Sequence, residues 1–394
     1  SIGGFTFVVF KTYKMNDMKG KQGLVCMGLL LVLSSCHTGK QITASGLQRK
    51  DFQTEVNGQH TDLFTLSNKQ GMEVCITNYG ARVVSILVPD RNGKREDVVC
   101  GFSTITEYME QRQNFGSTVG RYIGRILNAR FTLDGVEYKL VPNNGKSGHI
   151  SHGGNPGFAD RIWKVEQADT HRVRLSYLSP DGENGFPGNL KVTLVYSLGE
   201  DDNALDLTYE ATTDAPTVLN LSHHSFFNIS GNFTKSVEDQ QLWVDADRFT
   251  PYDDKKCVTG EYLPVAGTPL DFRMPHAIGE CIDADYPQLK VVNGYDHTWE
   301  LNTKGDDTRP AAWVYDPASG RKMEIFTTEP GMQIYTGNGL KGKMTGKGGI
   351  AYPFRSAVCF ETMHFQDSPN QPGFPSTVLR PGEVFRSHTV YKFE

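Results

Sequence analysis

Two adjacent histidines, His223 and His224, occur in the stretch VLNLSHHSFFN at residues 218–228, where apolar and polar residues alternate. A β-strand sends neighbouring side chains to opposite faces, so the two rings share a face only if the chain bulges. The alternation places His223 with Leu219 and Leu221, and His224 on a polar face that suits the floor of a wet pocket. An imidazole there can transfer a proton near neutral pH, although many strand histidines are purely structural.

A carboxylate, Glu361, occurs in the apolar stretch AVCFETMHF at residues 357–365. Strand alternation puts Val358 and Phe360 on one face and Glu361 on the other, among largely apolar neighbours. Burying a carboxylate costs free energy unless it has a partner. The stretch therefore indicates either a structural ion pair, with Arg125 as the candidate partner, or a group that exchanges protons.

Further polar groups lie in stretches flanked by glycines or turns. Arg121 and Arg125 of GRYIGRILNARF either carry surface charge or bind hydroxyl and carboxylate oxygens. His152 precedes two glycines, whose missing side chains let a ligand or another backbone approach closely. Asp296 follows an Asn-Gly turn signal and could simply cap that turn.

Strands must position these groups, because short alternating segments follow one another from about residue 51 onward. Residues 88–97, 131–140 and 314–326 each read as two strands around a glycine-containing turn. Further strands fit HRVRLSYLS, LKVTLVYSL and ALDLTYEAT, whereas no stretch sustains an apolar stripe of helical period over three turns. The pattern predicts an all-β protein, most simply one large antiparallel β-sandwich.

The composition fits a globular protein that handles small ligands. Of 394 residues, 22% are charged and 38% hydrophobic, and the net charge is −5. No basic run or ladder of aromatic and basic residues is present in the sequence, which argues against a nucleic-acid partner. Small neutral ligands are the simplest partners to accommodate.

The first 36 residues predict export. Two lysines precede GLVCMGLLLVLSSC, which is short for a membrane span but has the length of a signal-peptide core. Its end resembles the lipobox of bacterial lipoproteins, in which a lipid is attached to the cysteine, here Cys36. An ordinary cleaved signal or a membrane anchor is the alternative. The natural start is expected at Met15 or Met18.

Residues 1–36 are thus expected to form the signal peptide, 37–50 a short linker, and 51–394 a single domain. The cysteines that remain after Cys36 are odd in number and lack close spacing, so we expect neither a disulfide framework nor a zinc site. They are Cys75, Cys100, Cys257, Cys281 and Cys359.

Eight stretches in order resemble the aldose 1-epimerase, or galactose mutarotase, family. They are GRYIGRI, SHGGNPGF, SPDGENGFPGNLKVTLVYSL, LNLSHHSFFNI, NGYDHTW, MQIYTGN, CFET and LRPGEVF. The resemblance runs from about residue 60 to the C-terminus. It implies the large antiparallel β-sandwich of that family, known as the galactose mutarotase-like supersandwich.

The resemblance implies a role for each matching residue. The general acid falls on His224, with His223 in place of the usual Asn, and the general base falls on Glu361. Residues expected to bind the sugar are Arg125, His152, Asp296 and Gln333. Gly124 stands where the family usually has a sugar-binding Asn, which leaves the preferred aldose open. The aromatic residues that fit either a core or stacking on a sugar ring are Phe226, Phe227, Tyr295, Trp299 and Tyr335.

The implied reaction interconverts the α and β anomers of free aldoses such as galactose and glucose. A base takes the proton of O1, an acid protonates the ring oxygen, and the freed aldehyde rotates before the ring recloses. This chemistry needs neither a metal nor an organic cofactor. We expect a monomer with a small sugar substrate, which touches a membrane only through its N-terminal lipid, on the periplasmic side of a Gram-negative bacterium.

Three rival functions remain open. A hexose-phosphate epimerase needs a cluster of basic side chains, and only Arg121 and Arg125 come near one. A noncatalytic sugar-binding lipoprotein needs hydroxyl partners but not an acid together with a base. A glycoside hydrolase commonly uses two carboxylates, which Asp296 and Glu361 could supply.

Overall fold

Alternating apolar residues produce strands along the whole described chain. The computed structural model describes residues 42–394, so the expected signal peptide and Cys36 lie outside the described residues. In chain order the strands are β1 (Glu55–Val56), β2 (Gln59–His60), β3 (Leu63–Ser67), β4 (Glu73–Thr77), β5 (Arg82–Pro89), β6 (Arg95–Asp97), β7 (Ser117–Val119), β8 (Arg125–Ile126), β9 (Arg130–Leu133), β10 (Val136–Lys139), β11 (Ile150–Ser151), β12 (Lys164–Ala168), β13 (Arg172–Ser179), β14 (Leu190–Leu198), β15 (Ala204–Thr213), β16 (Thr217–Val218), β17 (Ser222–His224), β18 (Phe226–Phe227), β19 (Gln241–Val244), β20 (Arg248–Thr250), β21 (Leu263–Pro264), β22 (His276–Ala277), β23 (Asp296–Glu300), β24 (Ala312–Tyr315), β25 (Lys322–Thr327), β26 (Gly331–Tyr335), β27 (Val358–Met363), β28 (Val378–Leu379) and β29 (Phe385–Phe393).

Two large sheets carry the fold. One has nine strands in the order β12-β13-β14-β15-β29-β25-β24-β19-β22, and the other has six in the order β18-β27-β26-β23-β20-β21. All neighbours within both sheets are antiparallel. A four-stranded sheet, β3-β4-β5-β6, and two-stranded pairs such as β7-β17 and β8-β11 complete the described part.

The main core lies between the two large sheets. Leu194 and Leu207 of the nine-stranded sheet share one buried cluster with Ile334 and Phe360 of the six-stranded sheet. The Tyr391 hydroxyl donates a hydrogen bond to the Phe360 carbonyl at 3.1 Å and so ties β29 to β27. The predicted all-β class and large antiparallel β-sandwich are confirmed.

Each of the three predicted hairpins is present, as β5-β6, β9-β10 and β24-β25. Two helices were not predicted, α1 (Ile105–Gln111) and α2 (Pro287–Val292), because seven and six residues are too few for a sustained apolar stripe. Short 3₁₀ turns lie at Arg49–Phe52, Leu127–Ala129, Gly145–Ser147, Phe158–Asp160, Glu183–Gly185, Ile278–Glu280, Lys347–Gly349 and Ser368–Asn370. Neither helix within residues 42–394 has the length and apolar character to cross a membrane.

Part of the segment expected as a linker packs on the domain. Leu47 is buried, and the carboxylate of Glu73 on β4 accepts hydrogen bonds from the backbone N–H groups of Ala44 and Ser45 at 2.9 and 3.0 Å. Residues 42–50 are therefore anchored to the four-stranded sheet.

Candidate active site

The two expected proton-transfer groups meet at the base of one cavity. His224 ends β17, and Glu361 lies in the middle of β27. His224 Nε2 lies 3.4 Å from Glu361 Oε1, and the two side chains are only 7% and 5% exposed. Glu361 therefore pairs with a histidine and not with Arg125, the partner that a structural ion pair would have used.

The neighbouring histidine points into the core, as strand alternation predicts. His223 Nε2 lies 2.6 Å from the Ser225 hydroxyl, and its ring packs between those of Tyr196 and Tyr391. His224 instead lies against the Phe226 ring, with centroids 5.1 Å apart and planes within 9°. Phe226 thus fixes the plane of the His224 imidazole on the cavity side.

Burial sets the protonation of the pair. It raises the pKa of Glu361 well above the ordinary carboxyl value, and the nearby Asp296 adds to this shift whereas Arg125 opposes it. Burial also lowers the pKa of His224 well below its ordinary value, with a contribution from the ring of His152. Both shifts favour the uncharged forms, a neutral carboxyl group beside a neutral imidazole.

His152 reaches the same cavity from the loop after β11. Because β11 pairs with β8, Ser151 lies opposite Arg125 and carries His152 into place. The His152 ring lies 5.5 Å from that of His224 and almost perpendicular to it. Burial and the charge of Arg125 lower the pKa of His152 to about 4. Its Nδ1 accepts a hydrogen bond from the Gly124 N–H at 3.4 Å, so Nε2 carries the proton of the neutral ring.

Asp296 and Gln333 form a polar wall on adjacent strands. Asp296 begins β23, and its Oδ1 accepts a hydrogen bond of 2.6 Å from Gln333 Nε2 on β26. The Thr298 hydroxyl donates to Gln333 Oε1 at 2.5 Å, which fixes the orientation of that amide. Burial raises the pKa of Asp296, although Arg125 and Gln333 act against the shift. Helix α2 ends at Asn293, which lies in the left-handed region, and the Asp296 carboxylate accepts from Gln333 on β26 where a turn cap would bond to the turn itself.

The two arginines of the GRYIGRI stretch have different surroundings. Arg125 lines the cavity, and its guanidinium donates to the Lys256 carbonyl at 3.4 Å. Burial by itself would lower the pKa of Arg125, but the neighbouring Tyr252 and Asp296 raise it. Arg121 is buried elsewhere and donates to the Pro187 and Gly188 carbonyls, so its role is structural.

The cavity has a volume of about 250 Å³ and a largely polar wall. All six site residues expected from the resemblance, including His152 and Gln333, line it. The full lining is Gln113, Asn114, Gly124, Arg125, Ser151, His152, His224, Phe226, Asp296, Gln333, Tyr335, Glu361, Met363 and Gln366. Of the five aromatic residues considered, Phe226 and Tyr335 line the cavity, whereas Phe227, Tyr295 and Trp299 belong to the main core.

Several lining residues were not predicted. Gln113 and Asn114 follow α1, and nothing in their sequence marks them as part of a site. Gln366 lies five residues after Glu361, just past the end of β27, so a search for polar groups beside the CFET stretch would have found it.

One group within residues 42–394 has the donors to hold a metal ion. His224, Cys359 and Glu361 each offer one ligand atom, and these atoms lie within 4.8 Å of one another. Nitrogen, sulfur and carboxylate donors suit Zn²⁺, and such an ion would occupy the lone pairs of both groups that are expected to transfer protons. An ion bound there would therefore prevent the proton transfer that the sequence predicts for His224 and Glu361.

Comparisons with known proteins agree on one family. A family model described as aldose 1-epimerase matches residues 62–392. A galactose mutarotase from Bos taurus is 40% identical over 331 residues, which cover 84% of this chain and 93% of the relative. An aldose 1-epimerase from Escherichia coli (strain K12) is 36% identical over 86% of this chain and 96% of the relative. The crystal structure of an aldose epimerase homologue from C. elegans has a TM-score of 0.78 and 31% identity, over 85% of this chain and 99% of that one.

Proposed function

This chain belongs to the aldose 1-epimerase family, and from that premise we propose that His224 and Glu361 interconvert the α and β anomers of free aldoses by opening and reclosing the ring. The observation that carries the assignment is the contact of 3.4 Å between His224 Nε2 and Glu361 Oε1 at the base of a polar cavity. Galactose and glucose are the proposed substrates.

In each half of the reaction the sugar gives up one proton and receives one. Ionised Glu361 takes the proton from O1 while protonated His224 gives one to the ring oxygen, and the C1–O5 bond breaks as the C1=O1 double bond forms. Rotation about C1–C2 then presents the other face of the aldehyde. Reclosure returns one proton to O1 from Glu361 and one from O5 to His224.

Both protonation states of the pair belong to this cycle. The cyclic sugar requires the charged pair, and the open-chain sugar leaves a neutral carboxyl group beside a neutral imidazole. Burial favours the neutral pair, so the site is preorganised for the open-chain half of the reaction. The hydroxyl contacts of the cyclic sugar must compensate for the charge separation that precedes ring opening.

Four side chains are proposed to hold the ring hydroxyls. Arg125 and His152 donate hydrogen bonds, since the guanidinium has only N–H groups and the neutral His152 ring presents Nε2–H. Asp296 accepts them. Gln333, whose amide is oriented by Thr298, keeps the Asp296 carboxylate in place and is proposed to bind a hydroxyl itself. Holding C1 between the acid and the base supplies the orientation that the transfer requires.

Replacing Arg125 or Asp296 with alanine should raise KM by about tenfold or more, because both groups bind hydroxyls in the ground and transition states alike. A smaller loss of kcat is expected where positioning suffers. Initial rates across a range of galactose concentrations measure both constants. Arg130→Ala, at an exposed position of β9, is the matched control. Unchanged kinetics in either test variant would remove that residue from the binding site.

Rival functions fit the cavity less well. Arg125 is the one Lys or Arg among its lining residues, which is too little positive charge for a sugar phosphate. A purely sugar-binding protein would not need a buried histidine against a buried carboxyl group. Polarimetry of freshly dissolved α-D-galactose and α-D-glucose tests the function. Mutarotation that the protein accelerates supports an epimerase, whereas an unchanged rate with intact sugar binding would indicate a lectin.

We propose further that the mature chain is a monomer held at a membrane on the periplasmic side through lipid on Cys36. The support is the order of lysines, apolar core and Leu-Ser-Ser-Cys in the sequence. Acyl chains contribute about 0.8 kcal/mol per buried CH₂ group, and stable anchoring takes more than one chain.

Expression in a Gram-negative host from Met15 or Met18 should give a protein that sediments with membranes, and Cys36→Ser should release it and alter its processing. Mass spectrometry of the product detects the lipid directly. A wild-type protein without lipid on Cys36 would contradict the anchor and leave the enzymatic proposal untouched.

A further inference from the structure

Gly124 and Gln366 share one volume in the cavity wall. Gly124 has φ 76°, and a Cβ atom built on it would lie 2.6 Å from Gln366 Cγ and 3.1 Å from Gln366 Cδ. A separation of 2.6 Å between two carbon atoms is well inside van der Waals contact. A side chain at position 124 and the present conformation of Gln366 are therefore mutually exclusive.

The Gln366 side chain is held in this place by hydrogen bonds to Tyr252 and to two of the proposed binding residues. It is only 4% exposed, and its Nε2 donates a hydrogen bond of 2.6 Å to the Tyr252 hydroxyl. Its Oε1 accepts from the Arg125 backbone N–H at 3.3 Å. A weaker contact of 3.4 Å joins Nε2 to Gln333 Oε1. The carboxamide thus lies in contact with two of the four proposed hydroxyl-binding residues.

The carboxamide has hydrogen-bonding capacity to spare. A glutamine amide offers two N–H donors and two acceptor lone pairs on oxygen. The contacts to Tyr252 and Gln333 use the donors, the second of them weakly, and Arg125 uses one lone pair. One lone pair of Oε1 remains, on a side chain that lines the cavity. A sugar hydroxyl can donate to that lone pair.

We propose that Gln366 binds a ring hydroxyl of the sugar and that Gly124 is glycine because Gln366 fills its side-chain space. Gln366, which follows β27, thereby supplies the amide group that an Asn at position 124 supplies in the resembling family. This inference rests on the proposed function, since it assigns a specificity-determining residue to the same site.

The first test is Gln366→Met, which keeps the length of the side chain but removes the N–H donors and the oxygen acceptor of the amide. We expect KM for galactose to rise about tenfold with kcat changed by less than about threefold, as for a uniform binding contact. Gln167→Ala, on the exposed edge strand β12, is the control. If Gln366 merely fills space, Gln366→Met will leave KM unchanged and the inference is wrong.

The second test exchanges the two positions. Asn tolerates positive φ better than most residues, so Gly124→Asn strains the backbone less than other substitutions would, but it collides with Gln366. Alone it should raise KM by tenfold or more. Gln366→Ala clears the space that the Asn side chain needs. The increase in KM of the double variant should therefore be at least about fivefold smaller than the product of the increases in the two single variants. Single effects that simply multiply would contradict a shared volume.

The third test separates this inference from the proposed function. Binding of galactose and its monodeoxy derivatives is measured by calorimetry with wild type and Gln366→Met. The deoxy sugar that lacks the partner hydroxyl should bind both proteins with equal affinity. Galactose and the other deoxy sugars should bind Gln366→Met about tenfold more weakly than they bind wild type. If the sugars bind in this pattern but wild type does not accelerate mutarotation, the proposed function is wrong and the hydroxyl-binding role of Gln366 is retained. If wild type catalyses mutarotation but the Gln366→Met change weakens the binding of every sugar equally, or of none, then Gln366 is not a hydroxyl-binding residue.

Discussion

Glu361→Gln should lose kcat by a factor on the order of 10² or more while it still binds galactose. The amide keeps the shape and hydrogen bonding of the carboxyl group but has no basic oxygen to take the O1 proton. Burial already favours the neutral form of Glu361, so a neutral amide fits the same surroundings and should fold normally. Polarimetry gives kcat, and calorimetry gives the affinity.

The matched control is Glu137→Gln on the exposed strand β10, which should keep wild-type kinetics. A Glu361→Gln protein that mutarotates galactose at the wild-type rate would show that this carboxyl group is not the base. A protein that loses sugar binding as well would instead assign Glu361 mainly to binding.

His224→Asn should be nearly as damaging to kcat, because asparagine can donate a hydrogen bond to the sugar but cannot transfer a proton reversibly. His223→Asn is the built-in comparison on the adjacent position. The His223 ring lies in the core and contacts Ser225, so its loss should reduce the free energy of unfolding by about 1–3 kcal/mol. Its kcat should stay within about threefold of wild type.

The opposite outcome would overturn both the strand facing and the acid assignment. If His223→Asn abolishes activity in a folded protein and His224→Asn does not, the proposed mechanism fails. Unfolding in denaturant distinguishes a stability loss from a loss of catalysis in each variant.

The pH dependence of kcat/KM follows from the two pKa shifts. Activity needs one proton on the pair, so kcat/KM should rise through the lowered pKa of His224 and fall through the raised pKa of Glu361. His224→Asn leaves only Glu361 to titrate, and the residual activity should rise with pH without the alkaline fall. Glu361→Gln should leave only the fall that follows loss of the His224 proton.

Local patterns predicted much of the sandwich. Hairpins such as β9-β10 follow from glycine turns between alternating segments, and the facing of Val358, Phe360 and Glu361 follows from the two-residue period of a strand. The same period separated His223 from His224 correctly. These features depend on neighbouring residues alone.

The remaining features depend on contacts between distant segments. That Glu361 meets His224, and not Arg125, is decided by how β17 and β27 lie against each other, which no local pattern encodes. The exclusion between Gly124 and Gln366 arises in the same way, from a loop and a strand end brought together by the fold. Helix α1 leads directly to Gln113 and Asn114 in the cavity wall, but its seven residues are too few to show a helical pattern in the sequence.

The rate of exchange between α- and β-galactose at equilibrium, measured by magnetisation-transfer NMR, tests the central claim most directly. Wild type should accelerate the exchange strongly, and Glu361→Gln and His224→Asn should each remove most of that acceleration. The double variant should lose little more than either single one, because the transfer needs both groups at once. A double variant that still exchanges the anomers at the wild-type rate would contradict the assignment of this pair as acid and base.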